Sequence, residues 1–212
     1  METRILAVSD AVDPLVYSDR ISDRFGNVDL VLSCGDLPAS YLDYIVSMLN
    51  VPLYGVRGNH DQRPGAGEGE GTAFVDLHGR VVRIHGLLIA GLAGSRRYND
   101  GPNQYGELGM RRLAARLLPR LLYNRARRGR YLDILVTHAP PRHVHDQPDR
   151  THQGFATFRW FLRTFRPRYH LHGHIHVYTP RTATRSRYHD TIVLNVYGHK
   201  TLCVTRGLRT QD

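Results

Sequence analysis

Short apolar runs that end in polar clusters recur along the chain. Arg4–Val8 ends in Ser9-Asp10, Asp29–Ser33 in Gly35-Asp36, and Leu53–Arg57 in Gly58-Asn59-His60-Asp61. Their length and branched aliphatic content predict strands. Between them, Ser18–Phe25 and Ser40–Leu49 carry helical spacing, with Leu42, Ile45, Val46 and Leu49 on one face. This alternation predicts an α/β fold with parallel strands, in which ligands gather where the carboxyl ends of the strands emerge. Each of these three strands ends in residues able to bind a metal.

The remaining two-thirds extends the pattern. Gly65–Gly71 (GAGEGEG) reads as a flexible loop, and Val81–Ile84 with Leu87–Ala90 flank His85-Gly86 as a hairpin. Gly91–Gly106, rich in Gly, Asn and Pro, reads as an ordered loop. Glu107–Arg128 is helical, with Leu113, Leu117, Leu121 and Leu122 assigned to one face, and Pro119 should kink or split it. A strand at Leu132–Val136 ends in Thr137-His138, a helix follows at Phe155–Phe165, and a strand at Tyr169–Leu171 ends in His172-Gly-His-Ile-His176. Thr182–Arg206 alternates like antiparallel strands. No repeat or linker divides the chain, so residues 1–212 read as a single domain.

Composition narrows the class. Of 212 residues 41% are hydrophobic, enough to bury a core and to exclude a disordered chain. No apolar run approaches the length of a membrane span, and Met1-Glu-Thr-Arg runs straight into a strand without the architecture of a secretion signal. A cytoplasmic location is expected, with no membrane partner and with Cys34 and Cys203 as buried free thiols. The net charge is +10, carried almost wholly by arginine, since Lys200 is the sole lysine among 29 basic residues. Such a surface attracts anions, nucleic acid among them. The seven arginines between Arg111 and Arg128 read as a solvated helix face, or alternatively as an anion patch.

Five strand ends thus hold, in order, Asp10, Asp36, Asn59-His60, His138 and His174/His176. Carboxylate, amide oxygen and neutral imidazole suit divalent Mn, Fe or Zn. Two such ions about 3.5–4 Å apart clamp a phosphoryl group and generate hydroxide from bound water near neutral pH, given a carboxylate that bridges them. Gly35, Gly58 and Gly173 precede the candidate ligands and would permit the turns that expose them.

The ordered blocks Asp10-Ala-Val12, Gly35-Asp36-Leu-Pro-Ala39, Gly58-Asn59-His60-Asp61, Thr137-His138-Ala-Pro140-Pro141 and Gly173-His174-Ile-His176 resemble those of the calcineurin-like metallophosphoesterases. The resemblance implies a four-layer α/β-β/α sandwich around two divalent metals, with manganese favoured. It places Asp10, Asp36 and His176 on the first ion. Asp36, Asn59, His138 and His174 fall on the second, with Asp36 bridging. His60 is then the catalytic residue that faces the phosphate, and the implied reaction is hydrolysis of a phosphate mono- or diester by metal-bound hydroxide.

Two positions depart from the family. Val12 stands where a His ligand is usual, which should weaken the first site unless Asp13 swings in. Ala39 stands where a polar residue often orients the catalytic His, and Asp61 is a substitute for it or a turn cap. Candidate substrate contacts are Arg96 and Arg97 in the Gly91–Gly106 loop, and His143, with His145 and His152, after Pro140-Pro141. His172 reads as a packed core histidine, and His78, His85, His189 and His199 as surface. The expected substrate is a phosphorylated small molecule or a nucleotide. A nuclease acting on nucleic acid, or a non-catalytic scaffold that binds a partner protein, are the alternatives.

Overall fold

The computed structural model describes residues 2–61 and 74–205; the Gly65–Gly71 segment lies outside them. The first part runs β1 (Glu2–Ser9), α1 (Ile21–Phe25), β2 (Leu30–Ser33), α2 (Ala39–Leu49), β3 (Leu53–Gly55) and β4 (Phe74–Asp76). Next come β5 (Arg80–Ile84), β6 (Leu87–Leu92), β7 (Ser95–Arg96), β8 (Gln104–Tyr105), α3 (Glu107–Arg116), α4 (Leu118–Arg128) and β9 (Ile134–Thr137). The chain closes with α5 (Ala156–Phe165), β10 (Tyr169–His172), β11 (Arg185–Tyr188), β12 (Thr191–Asn195) and β13 (Gly198–Thr205).

Two sheets form the middle of the molecule. One has the order β13-β1-β2-β3-β4, parallel except for β13; the other has the order β11-β12-β10-β9-β6-β5, parallel except for its edges. Alternation along each strand decides the layering, because successive side chains leave opposite faces. In β1, Ile5 and Ala7 join Leu30 and Leu32 of β2 in a cluster shared with Ile89, Ile134, Val136 and Leu171 of the other sheet. The interleaved Leu6, Val8 and Val31 instead pack on Ile21, Phe25, Tyr41 and Ile45 of α1 and α2. On the far side Leu88, Ala90 and Leu135 pack on Met110, Leu121, Phe158 and Phe161 of α3, α4 and α5. The order of layers is therefore helix, sheet, sheet, helix, as expected.

Several expectations are refined. The helix over 107–128 breaks at Leu117, with Pro119 in the first turn of α4, where its missing N–H costs nothing. Leu121 is buried there, but Leu122 is 57% exposed, because neighbours on a helix point about 100° apart. The tail is antiparallel only in part. β11 and β12 form a hairpin, β12 then pairs parallel with β10, and β13 crosses to the other sheet to pair antiparallel with β1. Cys34 is buried as expected, whereas Cys203, on the edge strand β13, is exposed. Among the described residues, no helix is long and apolar enough to cross a membrane.

Candidate metal centre

The carboxyl ends of β1, β2, β9 and β10, with the turn after β3, converge on one point between the sheets. His138, fully buried just after β9, is its hub. Its Nε2 lies 3.1 Å from Asn59 Oδ1, 3.1 Å from His174 Nδ1 and 3.2 Å from Asp36 Oδ2. Among the described residues, Asp36, His138 and His174 are the group whose donor atoms all lie within 4.8 Å of one another, and Asn59 completes it.

The remaining polar atoms of these side chains are committed to the protein, which fixes how the donors point. His138 Nδ1–H donates to the Cys34 carbonyl at 2.8 Å, and His174 Nε2–H donates to the Thr151 carbonyl at 2.9 Å. Each thereby turns its other nitrogen toward the centre, where it serves as a lone-pair donor once it carries no proton. Asn59 Nδ2 donates to the Tyr98 hydroxyl at 3.1 Å, which turns Oδ1 inward. Asp36 Oδ1 accepts the His60 N–H at 2.8 Å, which leaves Oδ2 facing His138.

The backbone carries strain at the site. Asp10, Asp36 and His174 all adopt positive φ, at 63°, 56° and 67°. That region is disfavoured for residues with a side chain, and costs of this kind cluster at functional sites. Gly35, at φ 96°, supplies the turn before Asp36 as expected. Gly58 and Gly173 act differently: a Cβ on Gly58 would overlap Asp36 Oδ1, and one on Gly173 would overlap Ser9 Oγ and Asp10 Oδ2. They permit close approach rather than a turn.

Burial and charge set the protonation. Burial pushes the Asp36 carboxyl up, but His138 beside it and the hydrogen bonds from His138 and His60 outweigh burial and bring it down to about 2. Burial pushes His138 down, yet Asp36 and Asp10 outweigh it and raise it to about 9. Burial, then the neighbouring His138, hold His174 at about 3, so it is neutral. Burial raises the Asp10 carboxyl.

The other sequence candidates fall around this centre. Asp10 is adjacent, with both carboxylate oxygens 3.0 Å from the His174 N–H. His176 is half-buried, and its Nδ1 bonds the Tyr178 hydroxyl at 2.8 Å; it is not drawn together with Asp10 and Asp36 in a donor group. Val12 is exposed. Asp13 does not swing in: its Oδ2 pairs with His199 Nδ1 at 2.6 Å, and its Oδ1 accepts the Leu15 N–H in a turn. His60 places its side chain at the exposed rim. Asp61 does not orient His60; its Oδ2 accepts the N–H groups of Asp36 and Gly58, tying two strand ends together.

Arg96 pairs with Glu107 at 3.1 Å, and Glu107 also accepts the N–H groups of Ala156 and Thr157 at the start of α5. Arg97 and His143 are exposed. Of the histidines after Pro140-Pro141, His152 approaches the centre, 5.5 Å from His174 between rings. His145 instead bridges buried His172 and Ser186. His172 is a core histidine as read. His78 and His199 are not surface groups: His78 Nδ1 accepts the Ala93 N–H, and His199 holds Asp13. Tyr98, two residues beyond Arg96 in the same loop, aims Asn59, a role that no pattern in the sequence signals.

Nitrogen and oxygen donors thus converge at the strand ends of a two-sheet sandwich, a set suited to a divalent metal ion. The chain belongs to the calcineurin-like phosphoesterases, whose family model matches residues 3–178. Solved structures agree on the fold. TT1561 of Thermus thermophilus shares 16% identity at a TM-score of 0.62, over 93% of this chain and 90% of that one. GAP50, the anchor in the inner membrane complex of Plasmodium, shares 12% identity at a TM-score of 0.52, over 92% and 71%. No curated protein matches the chain by sequence.

Proposed function

We propose that this protein hydrolyses phosphate mono- or diesters at a divalent-metal centre held by Asp36, Asn59, His138 and His174. The observation that carries this reading is the convergence of one donor atom from each residue at His138 Nε2, with their other polar atoms committed to the protein. The donor set, one carboxylate, one amide oxygen and two imidazoles, fits manganese, iron or zinc. A divalent ion bound there supplies Lewis-acid activation of the phosphoryl oxygen and lowers the pKa of water.

The chain's own residues do the rest. Asp36 contributes a permanent negative charge, since its carboxyl stays ionised down to about pH 2. Cys34 and Thr151, through their carbonyls, and Tyr98, through its hydroxyl, hold the donors rigid and so remove reorganisation from the reaction. His60 projects at the rim beside Asp36 and Asn59, where a substrate phosphate would sit. There its imidazole holds a proton for the leaving oxygen or stabilises charge on the phosphoryl group.

The scaffold reading draws on a specific observation, the incomplete half at Asp10, Val12 and His176. Against it stands the complete donor set around His138, with His60 beside it. The test is hydrolysis of p-nitrophenyl phosphate and bis(p-nitrophenyl) phosphate by protein supplied with Mn²⁺. Turnover of either ester, lost in His138→Ala, supports the enzyme; metal binding without turnover supports the scaffold.

A further inference from the structure

The helices over the second sheet carry positive charge with nothing to balance it. From Leu108 to Leu132 the chain holds eight arginines and no Asp or Glu. Six of these, Arg111, Arg112, Arg116, Arg120, Arg125 and Arg127, are exposed. Among the described residues, the ion pairs of this region are Arg96–Glu107 and Arg130–Asp133, and none of the six takes part in one. Arg120 lies over the Tyr123 ring at 5.1 Å, and Arg125 lies over Tyr131 at 5.8 Å and donates to the Gly129 carbonyl.

Between the arginines runs an apolar ridge that faces outward. α4 buries Leu121 and Asn124 toward the sheet. On its other side Pro119, Leu122, Tyr123 and Ala126 are exposed, at the i, i+3, i+4, i+7 spacing of a single helix face. A step of about 100° per residue sets Arg120 and Arg127 along one border of this ridge and Arg125 along the other. α3 repeats the arrangement, with Leu108 beside Arg111 and Arg112. Leu108, Leu122 and Tyr123 are 60%, 57% and 47% exposed, so this apolar surface is not spent on the core. Arginines in the last turn of α4 suit the negative end of the helix dipole. That accounts for Arg125 and Arg127, but not for the ridge they flank.

We propose that the exposed face of α3 and α4 docks on an anionic lipid bilayer. Arginine takes phosphate oxygens bidentately, and clusters of basic residues on a helix are drawn to acidic headgroups. Leucine and tyrosine set among them enter the boundary between headgroups and acyl chains. A nucleic-acid backbone would match the arginines but give Leu108 and Leu122 nothing apolar to enter. Lack of a spanning segment, the ground for expecting no membrane partner, does not bear on such a face, because an interfacial helix lies in the plane of the surface. Docking here is independent of the ester chemistry at the metal centre.

The test is co-sedimentation of the full chain with vesicles of phosphatidylcholine, and with vesicles of equal parts phosphatidylcholine and phosphatidylserine. Binding is expected to the anionic vesicles alone and should weaken as salt is raised. The triple variant Arg116→Ala, Arg120→Ala, Arg127→Ala is expected to bind about 100-fold more weakly, since one basic residue at an acidic surface is worth roughly a factor of five. Leu122→Ser with Tyr123→Ser keeps the full charge and is expected to bind about 10-fold more weakly, through the apolar contact it loses. All these side chains are exposed, so both variants should melt like the wild type. Wild-type protein that ignores the anionic vesicles, or binds the neutral ones equally, overturns the docking face. The Leu122→Ser, Tyr123→Ser protein binding at wild-type strength overturns it too, by reducing the face to a charged patch. A DNA duplex bound more tightly than the anionic vesicles at equal phosphate concentration overturns it as well, by assigning the face to nucleic acid.

Discussion

His138 Nε2 sits 3.2 Å from Asp36 Oδ2, while the opposite nitrogen of the same ring donates to the Cys34 carbonyl at 2.8 Å. In the metal-free protein this geometry makes the ring an imidazolium paired with a carboxylate. A metal ion entering the centre has to displace that proton.

Metal affinity should therefore depend on pH. Asp36 and Asp10 overcome burial to raise His138 to about 9, so the metal competes with a proton below that value. Affinity for Mn²⁺ is expected to rise roughly tenfold per pH unit from pH 6.5 and to level off near 9, with about one proton released per ion bound. The metal-free fold shows the opposite sign. A raised folded pKa gives stability that is fully present below the ordinary 6.5 and lost as pH climbs toward about 9. Calorimetric titration in buffers of different ionisation enthalpy checks the first, and metal-free thermal melts the second. Affinity that stays flat across this window would refute the ion pair.

Tyr98→Phe removes the hydroxyl that accepts from Asn59 Nδ2, so the amide loses its reason to turn Oδ1 inward. Removing a partner of this kind typically weakens metal binding 10- to 100-fold. The expected loss of fold stability is about 1 kcal/mol, the net worth of one hydrogen bond. Metal binding at wild-type strength in the variant would show that Tyr98 does not aim the ligand.

Asp13 holds His199 and the Leu15 N–H rather than a metal. Asp13→Ala is expected to lower stability by about 1 kcal/mol and to leave the metal-to-protein ratio unchanged. Metal analysis alongside a thermal melt reads both quantities. A fall in bound metal would return Asp13 to the ligand set.

His60 contributes only its backbone N–H to Asp36 within the described network, and its side chain stands at the rim. His60→Gln is expected to keep the bound metal and to lose roughly 10²–10⁴ in kcat, the range for a positioned acid or base. A variant that loses metal instead would make His60 a ligand.

The sequence announced the fold and most of the centre because both are local signals. Apolar runs end at Asp10, Asp36, Asn59, His138 and His174, and parallel strands bring those ends to one edge. What it concealed depends on contacts between distant segments. Tyr98 meets Asn59 from 39 positions away, and Asp13 meets His199 from 186. Asp61, read as a turn cap or an aid to His60, bridges two strand ends by accepting the N–H groups of Asp36 and Gly58, a role visible only once β2 and β3 lie side by side. The resemblance places His176 on an ion, and the sequence did not show that its Nδ1 bonds the Tyr178 hydroxyl two residues on. Strand alternation in the tail said nothing about which sheet each strand would join, so the crossing of β13 to β1 was not legible.

The most direct measurement is metal content together with ester hydrolysis in chelated protein that is then resupplied with Mn²⁺, wild type beside Asp36→Asn. The wild type should lose turnover on chelation and regain it with the metal. Asp36→Asn, lacking the charge that faces His138, should recover neither. Turnover that survives chelation, or an Asp36→Asn protein with full metal content and activity, would contradict a phosphoesterase built on this centre.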